Sequence, residues 1–561
     1  MTNRPWLSSY EPEVQQRLDY PSVALTDFLL EAAEHYPNHE AVLFMGKKLS
    51  YRQLLDSAYR FANAMIHLGI RRGDRVALML PNVPQYVIGY YGILFAGGTV
   101  VQTNPLYTER ELVRHLTDSG AKTIVCLDLV YPRVKKASQS VALNNIIVTG
   151  IQDYLPFPKN MLYPLVQKKQ GAGRRLDPEK ENIRMFKQLM ARSSPKPVRT
   201  EVDLSEDVAV LQYTGGTTGT AKGAMLTHEN LVANVIQCAS WIHRIRKGQE
   251  TILTAVPLFH VYGMTTCMNL GLYLAARMLL VPKFEAGMLL KLIDKEKPTL
   301  FPGAPTMYVG IIHHPQLSRY NLSSIECCIS GSAPLPLQVQ QTFEQLTGGR
   351  LVEGYGLTEA SPVTHANPIW GRRVQGSIGI PWPDTEAVIM LDNGEPAEPG
   401  EIGELLVKGP QVMKGYWNQP EETASVLKDG WLATGDMGYM DKDGYFYIVD
   451  RKKEMINASG LKVYPREIEE VLYQHPAVQE AAVIGIPDEY RGETVKAFVV
   501  LRQGQQATEQ QLEQFCRERL ASYKVPRVYE YRTELPKTLV GKVLRRALAE
   551  EERNLRDSRT E

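Results

Sequence analysis

Residues 208–223 read VAVLQYTGGTTGTAKG, and the fold can be read outward from them. The apolar run 208–212 is short and leads into glycines, as a buried strand does when it feeds a tight loop. In the loop, Gly215, Gly216 and Gly219 let the backbone come close to an anion, Thr214, Thr217, Thr218 and Thr220 supply hydroxyl donors, and Lys222 supplies a positive charge. A polar surface turn is the plain alternative. Three glycines among four threonines and a lysine are too biased for it, and the segment reads as a phosphate cradle.

On either side of this loop the chain alternates helix and strand. A helical period over 51–68 carries Leu54, Leu55, Ala58, Phe61, Ala62 and Met65, and short apolar strands are expected at 75–80, 123–127, 207–213, 250–256 and 299–301. Such alternation implies an α/β fold, here a large multi-lobed N-terminal domain of layered, mainly parallel sheets. From about Gly379 short strands and glycine turns take over, and a β-rich subdomain is placed at 379–450, with Asp392-Asn393-Gly394 and residues 441–444 as hairpin signals. After Asp450 a compact α+β unit begins, with helices expected at 465–475 and 510–520 and strands at 481–486 and 495–501. The boundary falls at Lys452 and Lys453, giving domains 1–452 and 453–561.

The chain's 561 residues leave room for several cores. Lys plus Arg is 63 and Asp plus Glu is 62, a net charge of +1, which speaks against a general nucleic-acid binder because phosphate contacts need a basic excess. Cys126, Cys238, Cys267, Cys327, Cys328 and Cys516 form no CxxC pair, so buried thiols of a reducing compartment are expected rather than disulfides or a zinc site. The N-terminus has no apolar run after Arg4, so no secretory signal is read and the cytoplasm is the expected location.

Apolar stretches at 86–101 and 263–281 are broken by Gly89, Gly92, Gly97 and Gly98 and by Asn269 and Arg277. Both read as core helices running into buried strands, not as membrane spans. Prolines interrupt 149–201. Within it, residues 157–175 set Phe157, Met161 and Leu162 beside Lys159, Lys168, Lys169, Arg174 and Arg175. This is either an ordinary surface excursion or a peripheral contact with the inner face of an anionic membrane.

The loop departs from the GxxxxGK[ST] pattern of P-loop proteins. Ala221 precedes Lys222 and Gly223 follows it, so the hydroxyl that would hold magnesium is missing. A P-loop-like NTPase or kinase releasing ADP is therefore the rival class, and the residues argue against it. An adenylating enzyme must instead hold the β- and γ-phosphates as a leaving group while a carboxylate attacks the α-phosphorus, a task that suits a threonine and glycine loop.

YTGGTTGTAKG strongly resembles the phosphate loop of the adenylate-forming superfamily of acyl-CoA synthetases, nonribosomal-peptide adenylation domains and firefly luciferases. Further motifs follow in order: GYGLTE at 354–359, TGD at 434–436, DRKK at 450–453 and LPKTLVGKVLRR at 535–546. DGWLATGDMGYMDKDGYFYIVDRKK at 429–453 and PLYTERELVRHLTDSGA at 105–121 resemble bacterial long-chain fatty acyl-CoA synthetases, although Ala433 stands where many such enzymes carry His. The resemblance spans nearly the whole chain.

What it implies can be stated residue by residue. Gly354 and Gly356 leave room for a nucleotide, and Tyr355 offers an aromatic face to adenine, or is otherwise a core tyrosine. Thr358 donates to the α-phosphate, and Glu359 with Thr214 holds magnesium, a hard cation that prefers oxygen ligands. Asp436 accepts from the ribose hydroxyls, and Arg451 holds the ribose or a phosphate. Lys542 bridges the attacking carboxylate and the α-phosphate in the transition state. His260, in PLFHVYG, reads equally as a group beside the carboxylate and as a satisfied core histidine.

Lys453 matches the hinge of a mobile C-terminal domain that brings Ser459 and Gly460 to the site for coenzyme A. Val261, Met264, Ala304, Met307 and Tyr308 are candidate walls of the acyl channel, though any core contains such residues. The implied activity is ATP- and magnesium-dependent ligation of a long-chain fatty acid to coenzyme A through an acyl-adenylate, releasing AMP and pyrophosphate. A medium-chain or coumarate-type aromatic acid is the alternative substrate. The oligomeric state is left open, a homodimer among the forms allowed.

Overall fold

The computed structural model describes residues 4–163, 176–214, 221–458, 461–488, 492–537 and 543–560. The chain divides into two compact units, one of Leu7–Glu386 with Lys408–Leu432, the other of Met1–Trp6, Ala387–Val407 and Ala433–Glu561.

The larger unit is organised around an eight-stranded sheet in the order Gly415–Tyr416, Lys222–Thr227, Val208–Thr214, Thr99–Gln102, Arg75–Met79, Thr123–Leu127, Asn145–Thr149 and Arg184–Met185. From Val208–Thr214 to Arg184–Met185 every pairing is parallel, and the two strands at the other end are antiparallel. Strands Thr99–Gln102 and Thr123–Leu127 are buried at every position, as parallel strands covered on both faces are.

Helix Tyr51–His67 starts where sequence reading placed it. Its capping box explains why: Ser50 Oγ accepts from Gln53 N and Gln53 Oε1 accepts from Ser50 N. Helix Pro84–Phe95 is buried along its whole length and runs into the buried strand Thr99–Gln102, so the apolar stretch there is core. The second stretch forms Val261–Gly263, a π-helical turn Met264–Asn269, Leu270–Tyr273 and then strand Arg277–Leu280. No described helix is long and apolar enough to cross a membrane.

The strand expected at 299–301 shrinks to single bridges from Leu300 to Ile252 and Cys327. Pro298 and Pro302 flank it, and proline cannot donate to a ladder. All six cysteines are buried and free.

In the smaller unit, strands Ile456–Ala458, Gly492–Leu501 and Val478–Asp488 form an antiparallel sheet extended by Leu461–Val463, and Val528–Tyr531 adds in parallel. Alternate residues of the two long strands face opposite cores. Val483, Val495, Ala497 and Val499 pack with Ile468, Leu472 and Leu512, while Ala482, Ile484, Phe498 and Val500 pack with Leu535 and Leu548. Helices Pro465–Tyr473 and Glu509–Arg517 match expectation to within two or three residues at each end. Antiparallel strands Trp431–Met440, from Ala433 onward, and Phe446–Arg451 belong to this unit as well.

Arg545, at the start of helix Arg545–Thr560, ties these pieces together. Its guanidinium meets Asp450 at 3.0 Å, Glu469 at 2.6 Å, and Glu454. Burial pushes the Glu469 carboxyl up, while its carboxylate neighbours hold the Arg545 charge firmly on.

Candidate active site

The loop sits in a hairpin. Val208–Thr214 and Lys222–Thr227 are antiparallel, with Thr214 opposite Lys222. Lys222 therefore opens a strand, whereas the lysine of a P-loop precedes a helix, and this removes the geometric basis of the rival class. Gly215, Gly216, Thr217, Thr218 and Gly219 lie outside the described residues.

Both sides of the hairpin are anchored to Asp118 at the end of helix Glu109–Ser119. Tyr213 donates its hydroxyl to Asp118 Oδ2, and Trp417 donates Nε1 to Asp118 O at 3.1 Å. Trp417 N also donates to Gly223 O at 2.8 Å.

Thr358 and Glu359 lie on the 3₁₀ turn Thr358–Ala360, which packs against both strands of the hairpin. Asn234 clasps the next strand, accepting from Val363 N at 3.1 Å and donating to Val363 O at 2.8 Å. Glu359 Oε1 accepts from the Tyr416 hydroxyl at 2.7 Å, and Oε2 has no hydrogen bond to any described residue. A hydrogen bond to a charged acceptor of this kind contributes about 1.5–3 kcal/mol. The Tyr416 ring centroid lies 5.1 Å from the Lys222 ammonium, which also pairs with Glu422 of helix Pro420–Val426. Thr214, Lys222 and Glu359 are thus brought together, and Tyr416 joins two of them.

The segment that carries His260, Val261 and Met264 is tied to the same hairpin and turn. Gln212, two residues before Thr214, donates to Phe259 O at 3.2 Å. His260 Nδ1 accepts from Tyr262 N at 3.3 Å, capping the short helix Val261–Gly263, and burial lowers its pKa to about 4, so the ring is neutral at pH 7. The π-helical turn that includes Met264 is fixed to the Glu359 turn by Thr265 Oγ1, which donates to Ser361 O at 2.7 Å. π-helical turns occur often at functional sites, and the apolar pattern had no mark of one.

Val261, Met264, Ala304, Met307 and Tyr308 are all buried. Tyr308 is held by core contacts, donating to Phe301 O at 2.9 Å and packing edge-on against Phe343.

Tyr355 is half-buried on strand Arg350–Gly356, opposite His365, whose ring meets it edge-on at 5.9 Å. The flanking glycines answer to chain packing. A Cβ at Gly356 would stand 2.1 Å from Pro362 O, and one at Gly354 would stand 2.7 Å from Ile329 Cγ2.

In the smaller unit Asp436 and Arg451 are direct partners in the antiparallel ladder, with Arg451 Nε 3.0 Å from Asp436 Oδ1. Asp436 is buried. Its backbone N donates to Thr434 Oγ1 at 3.1 Å, and Glu404 receives Gly435 N at 3.1 Å and Lys452 Nζ at 2.8 Å. Lys453 is exposed. Lys542, Ser459 and Gly460 lie outside the described residues.

Sequence reading missed Tyr416, Trp417 and Glu422. The available signal was the aromatic pair in KGYWNQPEE, set between Gly415 and Pro420 in an otherwise polar stretch.

A glycine and threonine hairpin closed by a carboxylate-bearing turn, with a separate α+β unit following, is the arrangement of an adenylate-forming enzyme. The AMP-binding enzyme family matches residues 29–417 and the AMP-binding enzyme C-terminal domain matches residues 467–542, so this chain belongs to the AMP-binding enzymes. Within the family it is 55% identical to the long-chain-fatty-acid–CoA ligase of Bacillus subtilis (strain 168), over 98% of both chains. It is 40% identical to the long-chain-fatty-acid–CoA ligase of Escherichia coli O157:H7, over 99% of both. Among solved structures, ATP-bound MatB from Rhodopseudomonas palustris superposes with a TM-score of 0.83 at 29% identity, covering 95% of this chain and 99% of that one.

Proposed function

We propose that this chain is an ATP-dependent long-chain fatty-acid–CoA ligase. The acid and ATP form an acyl-adenylate and pyrophosphate; coenzyme A then displaces AMP. The closure of the Glu359 turn on the hairpin supports the chemistry, and whole-length likeness to the Bacillus subtilis ligase supports the substrate class.

Thr214 and Lys222 hold the phosphates with the intervening loop. Glu359 presents a carboxylate oxygen with no described partner, and Thr214 presents a hydroxyl, a hard-oxygen set that suits magnesium. When bound, the metal neutralises phosphate charge as pyrophosphate leaves. Thr358 donates to the α-phosphate, Tyr355 lies against adenine, and Asp436 with Arg451 holds the ribose. Lys542 stabilises the charge that accumulates as carboxylate oxygen meets phosphorus. His260, held neutral by burial, sits beside the acid without adding charge. Val261, Met264, Ala304, Met307 and Tyr308 line the acyl side. Rotation at Lys453 exchanges Lys542 for Ser459 and Gly460, past which the pantetheine arm enters.

Peripheral contact with the inner face of a membrane is supported by Phe157, Met161 and Leu162, which are 79%, 67% and 54% exposed beside Lys159. Residues 164–175 lie outside the described residues. Changing Phe157 and Met161 to Ser weakens co-sedimentation with anionic vesicles if this contact exists, and leaves it unchanged otherwise.

Product analysis with ATP, magnesium, coenzyme A and acids from acetate to oleate, with coumarate, tests the ligase. AMP formed best with long-chain acids supports it, and ADP overturns it. Lys542→Ala is expected to abolish adenylation while sparing thioester formation from supplied acyl-adenylate. Equal loss of both steps contradicts the domain alternation.

A further inference from the structure

Tyr416 joins two groups that the adenylation step needs, and no motif reading singled it out. It is 7% exposed, and its backbone is pinned by the ladder that pairs Gly415–Tyr416 with Ala224 and Met225 and by donation from Tyr416 N to Thr423 Oγ1 at 2.9 Å. Thr423 is itself held to Gln419 O at 2.9 Å. The ring therefore has a fixed place, and its two functional ends point at different partners: the hydroxyl at Glu359 and the face at Lys222.

We propose that Tyr416 is a positioning residue for the adenylation step, aiming the Glu359 carboxylate and supporting the Lys222 ammonium from one rigid ring. The inference rests on Glu359 as the metal ligand and Lys222 as the phosphate-binding lysine. A glutamate has three rotatable bonds to fix before its oxygen can serve as a ligand, and engaging Oε1 leaves Oε2 directed and available. The chemistry of the holder matters. A lysine or arginine there would neutralise the carboxylate and weaken its hold on a cation, whereas a phenol orients it and leaves its charge intact. The ring face meanwhile attracts the Lys222 ammonium independently of its pairing with Glu422, so the lysine keeps a partner when it turns from that carboxylate toward phosphate.

The test is an electron-paramagnetic-resonance titration of Mn²⁺ into the full-length protein with ATP, together with calorimetric ATP binding in the absence of metal. Tyr416→Phe, Tyr416→Leu and Glu359→Gln are compared with the unaltered chain. Tyr416→Phe conserves the buried volume and keeps the ring, so it is expected to weaken Mn²⁺ binding by about ten- to a hundredfold while metal-free ATP affinity stays unchanged. Tyr416→Leu is expected to weaken both. If Glu359→Gln weakens Mn²⁺ binding and Tyr416→Phe does not, the positioning role is overturned and Glu359 remains the ligand. If Glu359→Gln leaves Mn²⁺ binding untouched, the underlying metal assignment fails instead. Metal and nucleotide affinities retained by both Tyr416 variants, with only the melting temperature lowered, would make Tyr416 a purely structural residue.

Discussion

Arg451 and Asp436 stand directly opposite each other on paired strands, guanidinium nitrogen to carboxylate oxygen at 3.0 Å, with the aspartate buried. The pair presents a carboxylate whose orientation is set by its neighbour, as bidentate recognition of two ribose hydroxyls requires. If Asp436 accepts from the ribose, Asp436→Ala should cost about ten- to a hundredfold in kcat/KM for ATP and much less for 2′-deoxy-ATP. Steady-state kinetics with both nucleotides checks this, and an equal loss on both would separate Asp436 from the ribose.

Arg545 is surrounded by Asp450, Glu454 and Glu469, and all four side chains are mostly buried. Removing the cation leaves carboxylates uncompensated in a poorly solvated place, so Arg545→Met is expected to destabilise the smaller unit by about 3–5 kcal/mol. Adding Asp450→Asn and Glu454→Gln should recover part of that loss. Calorimetry on the full chain reads both effects as a lowered, then partly restored, melting transition.

His115, His228, His260 and His365 are held neutral by burial, with pKa values lowered to about 3, 4, 4 and 3 from 6.5. In the window between those values and 6.5 the unfolded chain takes up protons that the folded chain refuses. Their contribution is fully present above pH 6.5 and is lost as pH falls through the folded pKa values, at up to about 1.4 kcal/mol per pH unit for each histidine. His228 Nδ1 accepts from Leu25 N at 3.2 Å, a bond that protonation destroys. Melting temperature should therefore drop between pH 6.5 and 4, and His228→Gln, which keeps an acceptor, should make the drop shallower.

If Lys222 binds phosphate, Glu422, which is paired with it and half exposed, competes for it. A pair of this exposure is worth about 0.2–1 kcal/mol, so Glu422→Gln should tighten metal-free ATP binding by roughly 1.4- to fivefold at low salt. The gain should shrink as ionic strength rises. Calorimetric titration at two salt concentrations checks it, and unchanged affinity would mean that the pair forms without opposing the nucleotide.

Much of the scaffold was legible because its signals are local. The strand expected at 123–127 is observed as Thr123–Leu127, and the start of helix Tyr51–His67 is written in Ser50 and Gln53. The failure at 299–301 is instructive, since apolar character suggested a strand while flanking prolines removed the donors a ladder needs. The glycine and threonine loop was legible in composition. The placement of Lys222 at the head of a strand was not, because a glycine and threonine loop can lead into either kind of element.

The sequence by itself determined the α/β alternation, the place of the glycine and threonine loop and the order of the family's motifs, all set by periodicity and composition over short spans. The tertiary structure decided which side chains meet. Tyr416 reaches Glu359 across 57 residues, and Arg545 reaches Asp450 across 95. Those pairings follow from strand register and helix placement, which are chosen by burial of the whole core. A hydrogen bond is made only where distance and angle permit it, and no local pattern encodes the position of a partner so far along the chain.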